Sequence, residues 1–133
     1  MDPDRSFPPL IDPAVAAGWL DAVERRQGAL ALGRPAGAPL DRVAELAGLA
    51  GVAAKFLAVG TPRTMGLIGL RDLAPAVVAT QRAYAAPREL RVFDGDPVAA
   101  ARIAEAVGGR VASLTEACAC DVVVARGPVA IER

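Results

Sequence analysis

The 133-residue chain carries 15 basic and 15 acidic residues and no histidine, and 53% of it is hydrophobic but only 4% aromatic. Zero net charge provides no basic field to hold a nucleic-acid backbone, and no apolar run reaches the roughly 18 residues that a membrane span needs. A domain of this length buries about two thirds of its extended surface, so a core built from small and branched aliphatics needs no metal or disulfide.

Met1-Asp2-Pro3-Asp4-Arg5 starts acidic and lacks the charged-then-apolar order of a secretion signal. Cys118 and Cys120 are separated by one residue, a spacing that strains a disulfide. They read as two buried thiols in a reducing compartment, with a two-ligand metal contribution as the alternative. Together these features predict a cytoplasmic protein. The absence of histidine also removes the commonest general base.

Residues 1–11, with Pro3, Pro8 and Pro9, read as an extended arm. Asp12-Pro13 then opens a first helix, with Asp as N-cap and Pro in the first turn. Val15, Trp19, Leu20, Val23 and Leu30 recur at helical spacing and carry it to about Leu32. Gly33, Pro35, Gly37 and Pro39 form a connector. A second helix, Leu40 to Ala58, is nearly apolar all round, which suits an interface. Gly48 and Gly51 inside it signal close approach of another backbone.

From Thr64 the period changes. Thr64–Ile68 reads as a buried strand ending at Gly69. Asp72 is the predicted N-cap of a third helix that Pro87 stops. Glu89–Phe93 alternates as a second strand. Asp96-Pro97 repeats the helix-start pattern, and Gly108-Gly109 closes that fourth helix. Arg110–Ala112 is a short strand, Ser113–Glu116 a capping-box pattern, and Asp121–Val124 a buried strand. Val129–Ile131 reads as a last edge strand. The chain is one compact unit: the arm, a helical segment 12–63, and a unit 64–133. The fold class is α/β, a half-Rossmann βαβαβ parallel sheet in the order 3-2-1 preceded by two N-terminal helices.

The dinucleotide-binding fingerprint is Gly-x-Gly-x-x-Gly/Ala after the first strand, with an acid some 20 residues later. Here the segment is Gly69-Leu70-Arg71-Asp72-Leu73-Ala74, with Asp94 at the tip of the second strand. Gly69 serves the tight turn and Ala74 the close packing of helix on strand. Asp94 is placed to accept from a ribose. Arg71 replaces the glycine that lets backbone approach a pyrophosphate. It has three readings: a solvated side chain, a phosphate or carboxylate ligand, or an ion-pair partner of Asp72 or Asp94 that closes the site. Gly69, Arg71, Asp72, Ala74 and Asp94 therefore form a degenerate dinucleotide site, with NAD(H) bound weakly or not at all. No catalytic or metal-ligating set is assigned. Lys55, the only lysine, has rarity alone in its favour.

Leu49 to Ala125 resembles the ornithine cyclodeaminase / mu-crystallin family. Val52-Ala53-Ala54-Lys55-Phe56-Leu57-Ala58 is similar to the helix that precedes the family's first Rossmann strand. Met65-Gly66-Leu67-Ile68-Gly69 matches that strand, Val92-Phe93-Asp94-Gly95-Asp96-Pro97 the end of the second, and Cys120-Asp121-Val122-Val123-Val124 a third. The resemblance implies a dinucleotide-dependent enzyme or binding protein, dimeric through a separate substrate domain. The departures are as informative. Glu45 and Leu46 stand where the family has a substrate-binding Arg-Thr pair. No counterpart of the substrate domain lies between Leu32 and Leu40, and Ala125-Arg126-Gly127 lacks the family's threonine. Arg133 precedes the second Rossmann half, with its catalytic Asp.

The expectation is a reduced relative without the family's catalytic residues, acting as a binding or assembly module. The alternative is an NAD(H)-dependent enzyme or subunit acting on an amino acid or small imino acid with catalytic groups from a partner. Without the second half, the first strand is expected to lose one neighbour. An apolar open edge invites pairing, so Val129–Ile131 folds back over it, the N-terminal helices shield it, or another chain covers it; with the apolar second helix, this predicts a homodimer or hetero-oligomer.

Overall fold

The structure is a computed structural model and describes residues 11–31, 41–57, 60–84 and 86–126. The predicted N-terminal arm, apart from Ile11, the connector, and the edge strand Val129–Ile131 lie outside the described residues.

Helix starts follow the sequence where an aspartate precedes the first turn. Asp12 Oδ1 accepts from the Ala14 amide at 2.8 Å, opening α1 (Pro13–Ala31). Asp41 Oδ1 accepts from the Ala44 amide at 3.0 Å, opening α2 (Arg42–Leu57). α1 and α2 pack on each other and on α3 (Ala74–Tyr84). Gly48 and Gly51 make this packing possible. A Cβ on Gly48 would lie 2.6 Å from Val23 Cγ2, and one on Gly51 would lie 2.5 Å from Leu20 Cδ2 and 2.9 Å from Thr80 Cβ. Buried Thr80 locks the junction, its hydroxyl within 3.1 Å of the Ala47 carbonyl and 2.8 Å of its own helix at Val77.

The second half is an α/β unit. Strands β1 (Thr64–Ile68), β2 (Glu89–Phe93), β3 (Arg110–Val111) and β4 (Val122–Ala125) form one parallel sheet in the order β3-β2-β1-β4. α3 links β1 to β2, and α4 (Pro97–Val107) links β2 to β3. The sheet and its helices bury one core: Met65, Leu67, Leu90 and Val92 with Val77 of α3 and Ile103 of α4. Strand residues alternate between faces, so Gly66 lies on the other side, under α5 (Leu114–Cys118). Its missing side chain admits the Ala117 carbonyl, which leaves no room for a Cβ.

The predicted open edge on β1 is not present. β4 returns across the sheet and pairs Met65–Ile68 with Val122–Ala125, so β1 has neighbours on both sides. Asp121 fastens this join. Its Oδ2 accepts from the Arg63 and Thr64 amides at 2.8 and 3.2 Å, while its own amide donates to Thr64 Oγ1 at 2.9 Å. Those amides hold the Asp121 carboxyl below the usual range. Among the described residues, no strand pairs with the far side of β4.

The fourth helix follows its sequence signals. Asp96 caps Val98 at 3.0 Å, Pro97 occupies the first turn, and Gly108 closes the helix with φ 72°. Ser113 and Glu116 form the predicted capping box. The third helix departs from expectation. Asp72 is not its N-cap: Arg71–Leu73 form a 3-10 turn, Leu70 holds the cap position without a side-chain bond, and α3 begins at Ala74. Arg71, at the head of this turn, has a positive φ.

Candidate functional site

The carboxyl ends of β1, β2 and β4 meet at one corner of the molecule. In open parallel sheets, ligands bind at such ends, where the connections leave in opposite directions. β1 lies between β2 and β4 at this corner and leads into α3. The corner is held by backbone bonds: the Gly69 amide donates to the Phe93 carbonyl and the Arg126 amide to the Ile68 carbonyl, both at 3.1 Å.

Gly69 adopts φ 63°, the left-handed turn expected of the first fingerprint position. Ala74 is fully buried, which brings α3 close to the sheet. Asp94 is buried at the tip of β2, its Oδ1 accepting from the Asp96 amide at 2.9 Å. Arg71 also has positive φ, 51°, the only non-glycine among the described residues to do so. It keeps the backbone bend that suits glycine and adds a side chain to it.

That side chain turns onto Asp94. Arg71 Nε lies 2.8 Å from Asp94 Oδ2, with the carboxylate side chain 3% exposed and the guanidinium half exposed. The contact is an ion pair off the hydrogen-bond direction, so buried Oδ2 receives no hydrogen bond. Of the three readings of Arg71, the ion pair with Asp94 is the one found. Gly69, Arg71 and Ala74 lie on the β1–α3 turn with Arg71 against Asp94, and Asp72 lies within the 3-10 turn.

Other predicted groups lie elsewhere. Lys55 pairs with Glu24 at 2.8 Å on the α1–α2 side. Glu45, on the first turn of α2, is 3.8 Å from Arg26. Cys118 and Cys120 are free thiols and half-buried rather than fully buried. Burial pushes the Cys120 thiol up, and its Sγ lies 3.7 Å from the Glu116 carbonyl. Among the described residues, no group of three or more Cys, Asp or Glu side chains is arranged to hold a metal ion. No helix among them is long and apolar enough to cross a membrane.

Two features escape the sequence reading. Glu89, Arg91, Arg110 and Glu116 form a surface ion network on the α5 face, with Arg110 Nε 2.8 Å from Glu89 Oε1. Arg91 first and Arg110 second hold the Glu89 carboxyl down at about 2. The signal was the i, i+2 spacing of Glu89 and Arg91, which puts both on one strand face. The second is a groove of about 390 Å³ between Ala50, Ala53 and Ala54 of α2 and the 121–125 edge of β4. Beside it, α2 exposes Leu46, Leu49 and Phe56, the last at 68%.

No protein-family model, curated protein or solved structure matches the chain.

Proposed function

We propose that the protein is a reduced, non-catalytic relative of the ornithine cyclodeaminase / mu-crystallin family, a half-Rossmann module that acts by binding and assembly. The observation that carries this reading is the Arg71–Asp94 pair. Where a dinucleotide's pyrophosphate needs bare backbone, this chain has an arginine. Where a ribose needs a free carboxylate, that arginine already stands 2.8 Å away. Glu45, a carboxylate at the position of the family's substrate-binding arginine, supports the loss of substrate chemistry, since like charges repel.

Assembly, as a homodimer or with another protein, is supported by the groove beside β4. A strand edge unpaired among the described residues, next to an apolar helix face, is a surface that soluble proteins usually cover. The free thiols fit a reducing compartment such as the cytoplasm.

Calorimetric titration with NAD⁺ and NADH tests the reading: no saturable heat is expected. Binding at micromolar strength that disappears in Asp94→Ala would instead favour an NAD(H)-dependent enzyme subunit, the second reading, for which buried Asp94 is the specific observation. Light scattering at micromolar concentration tests assembly, and a clean monomer would remove it.

A further inference from the structure

We propose that Arg71 is a self-occluding latch on the β1–α3 turn, which otherwise keeps its means of recognising a ribosyl diphosphate, the shared part of adenine dinucleotides. The proposal rests on the non-catalytic reading above and gives its cause: a single side chain, rather than a dismantled site, keeps the nucleotide out.

Three observations support it. Two other fingerprint positions keep their roles. Gly69 holds φ 63°, Ala74 is fully buried against the sheet, and the strand ends are tied at 3.1 Å on both sides of β1. Arg71 stands where the fingerprint has its second glycine, at the head of the 3-10 turn that leads into α3. Its φ of 51° lies in the left-handed region where glycine sits without cost and an L-residue is strained.

The second observation is Asp94. A carboxylate oxygen buried without a hydrogen-bond donor is unusual, because such groups in folded proteins almost always find one. Oδ1 is satisfied by the Asp96 amide, whereas Oδ2 faces only the misaligned Arg71 Nε. Oδ2 is thus an acceptor held at the site where an acid in this fold takes a ribose hydroxyl. The Asp96 amide holds the carboxylate in place independently of Arg71, so the acceptor survives when the arginine is removed.

The third is the asymmetry of the pair. Asp94 is 3% exposed but Arg71 is 48% exposed. One partner is fixed in the protein and the other reaches in from the rim. A side chain seated in this way covers the buried carboxylate from outside.

The experiment compares the full chain with Arg71→Gly, Arg71→Asn and Arg71→Gly/Asp94→Asn, titrated with ADP-ribose and NAD⁺. Glycine accepts the positive φ freely and asparagine tolerates it, so thermal unfolding should show both single variants folded. The expected result is no saturable binding by the wild type up to about 1 mM, binding at least about tenfold tighter in both single variants, and its loss in the double variant. Folded single variants as silent as the wild type would overturn the latch and leave the non-catalytic reading standing. Wild-type binding that weakens on removal of Arg71 would overturn it too, by making the arginine a phosphate ligand. Tight wild-type binding that depends on Asp94 would overturn both.

Discussion

Two arginine–carboxylate contacts in this protein have the same length and different physics. Arg71 Nε lies 2.8 Å from Asp94 Oδ2 at the carboxyl end of the sheet, and Arg110 Nε lies 2.8 Å from Glu89 Oε1 on the α5 face. Glu89 belongs to an exposed network whose members hydrogen-bond each other and water can reach. Such pairs are screened, and each contributes little to stability. Asp94 is buried, its second oxygen lacks a hydrogen bond, and its partner sits on a strained backbone. Distance alone does not reveal which contact matters. Burial and the cost of leaving a group without its partners do.

The sharpest way to break the comparison is Asp94→Ala. It removes the acceptor of the Asp96 amide, which joins β2 to the start of α4, and leaves Arg71 in its left-handed conformation with no partner. A loss of about 2–3 kcal/mol is expected, read as a fall in Tm of roughly 6–12 °C. A change below about 0.5 kcal/mol would place Asp94 with the surface carboxylates and end the contrast. Gly69→Ala comes next. A Cβ there would meet the Arg126 carbonyl at 3.5 Å, an ordinary contact, so the cost is conformational alone. At φ 63° it should be about 1–2 kcal/mol in chemical denaturation. A neutral result would mean that this turn relaxes easily, and the strain assigned to Arg71 beside it would fall with it.

The same contrast separates what was legible in the sequence from what was not. The β2–α4 unit obeys local rules throughout: Asp96 caps, Pro97 starts, Gly108 stops, and each could be read from residue type and position. At the β1–α3 turn the fingerprint positions were legible, but their use was not. Three readings were open to Arg71, and only the folded distances select the ion pair with Asp94. Asp72 has the right residue type for a cap but lies inside a 3-10 turn, with α3 starting two residues later. The expected open edge of β1 failed for a different reason. Which side of a sheet a late strand joins is set by where its connection crosses, a long-range property. Gly66 carried a local hint of it, since a glycine inside a strand marks close backbone approach. The backbone is that of α5, the connection between β3 and β4.

The smallest expected effect lies on the exposed side and is best seen through pH. The Glu89 carboxyl is lowered from 4.5 to about 2 in the folded protein, first by Arg91 and then by Arg110. A carboxyl with a depressed folded value binds its proton more readily when unfolded. Its contribution to stability is therefore complete above about pH 4.5 and is lost as the pH falls through about 2. Glu116, lowered chiefly by its bond from the Ser113 amide, acts in the same direction. Thermal unfolding followed from about pH 6 down to pH 2 should show the wild type losing stability faster than Glu89→Gln, with the two curves converging at the acid end. At neutral pH the variant should differ by only on the order of a degree in Tm, because both Glu89 and Arg110 are open to solvent. Added salt should shrink even that difference, while leaving the response to Asp94→Ala almost unchanged, since a buried carboxylate is poorly screened. If salt instead reduced the two responses equally, the contacts would be equivalent and burial would not be what distinguishes them.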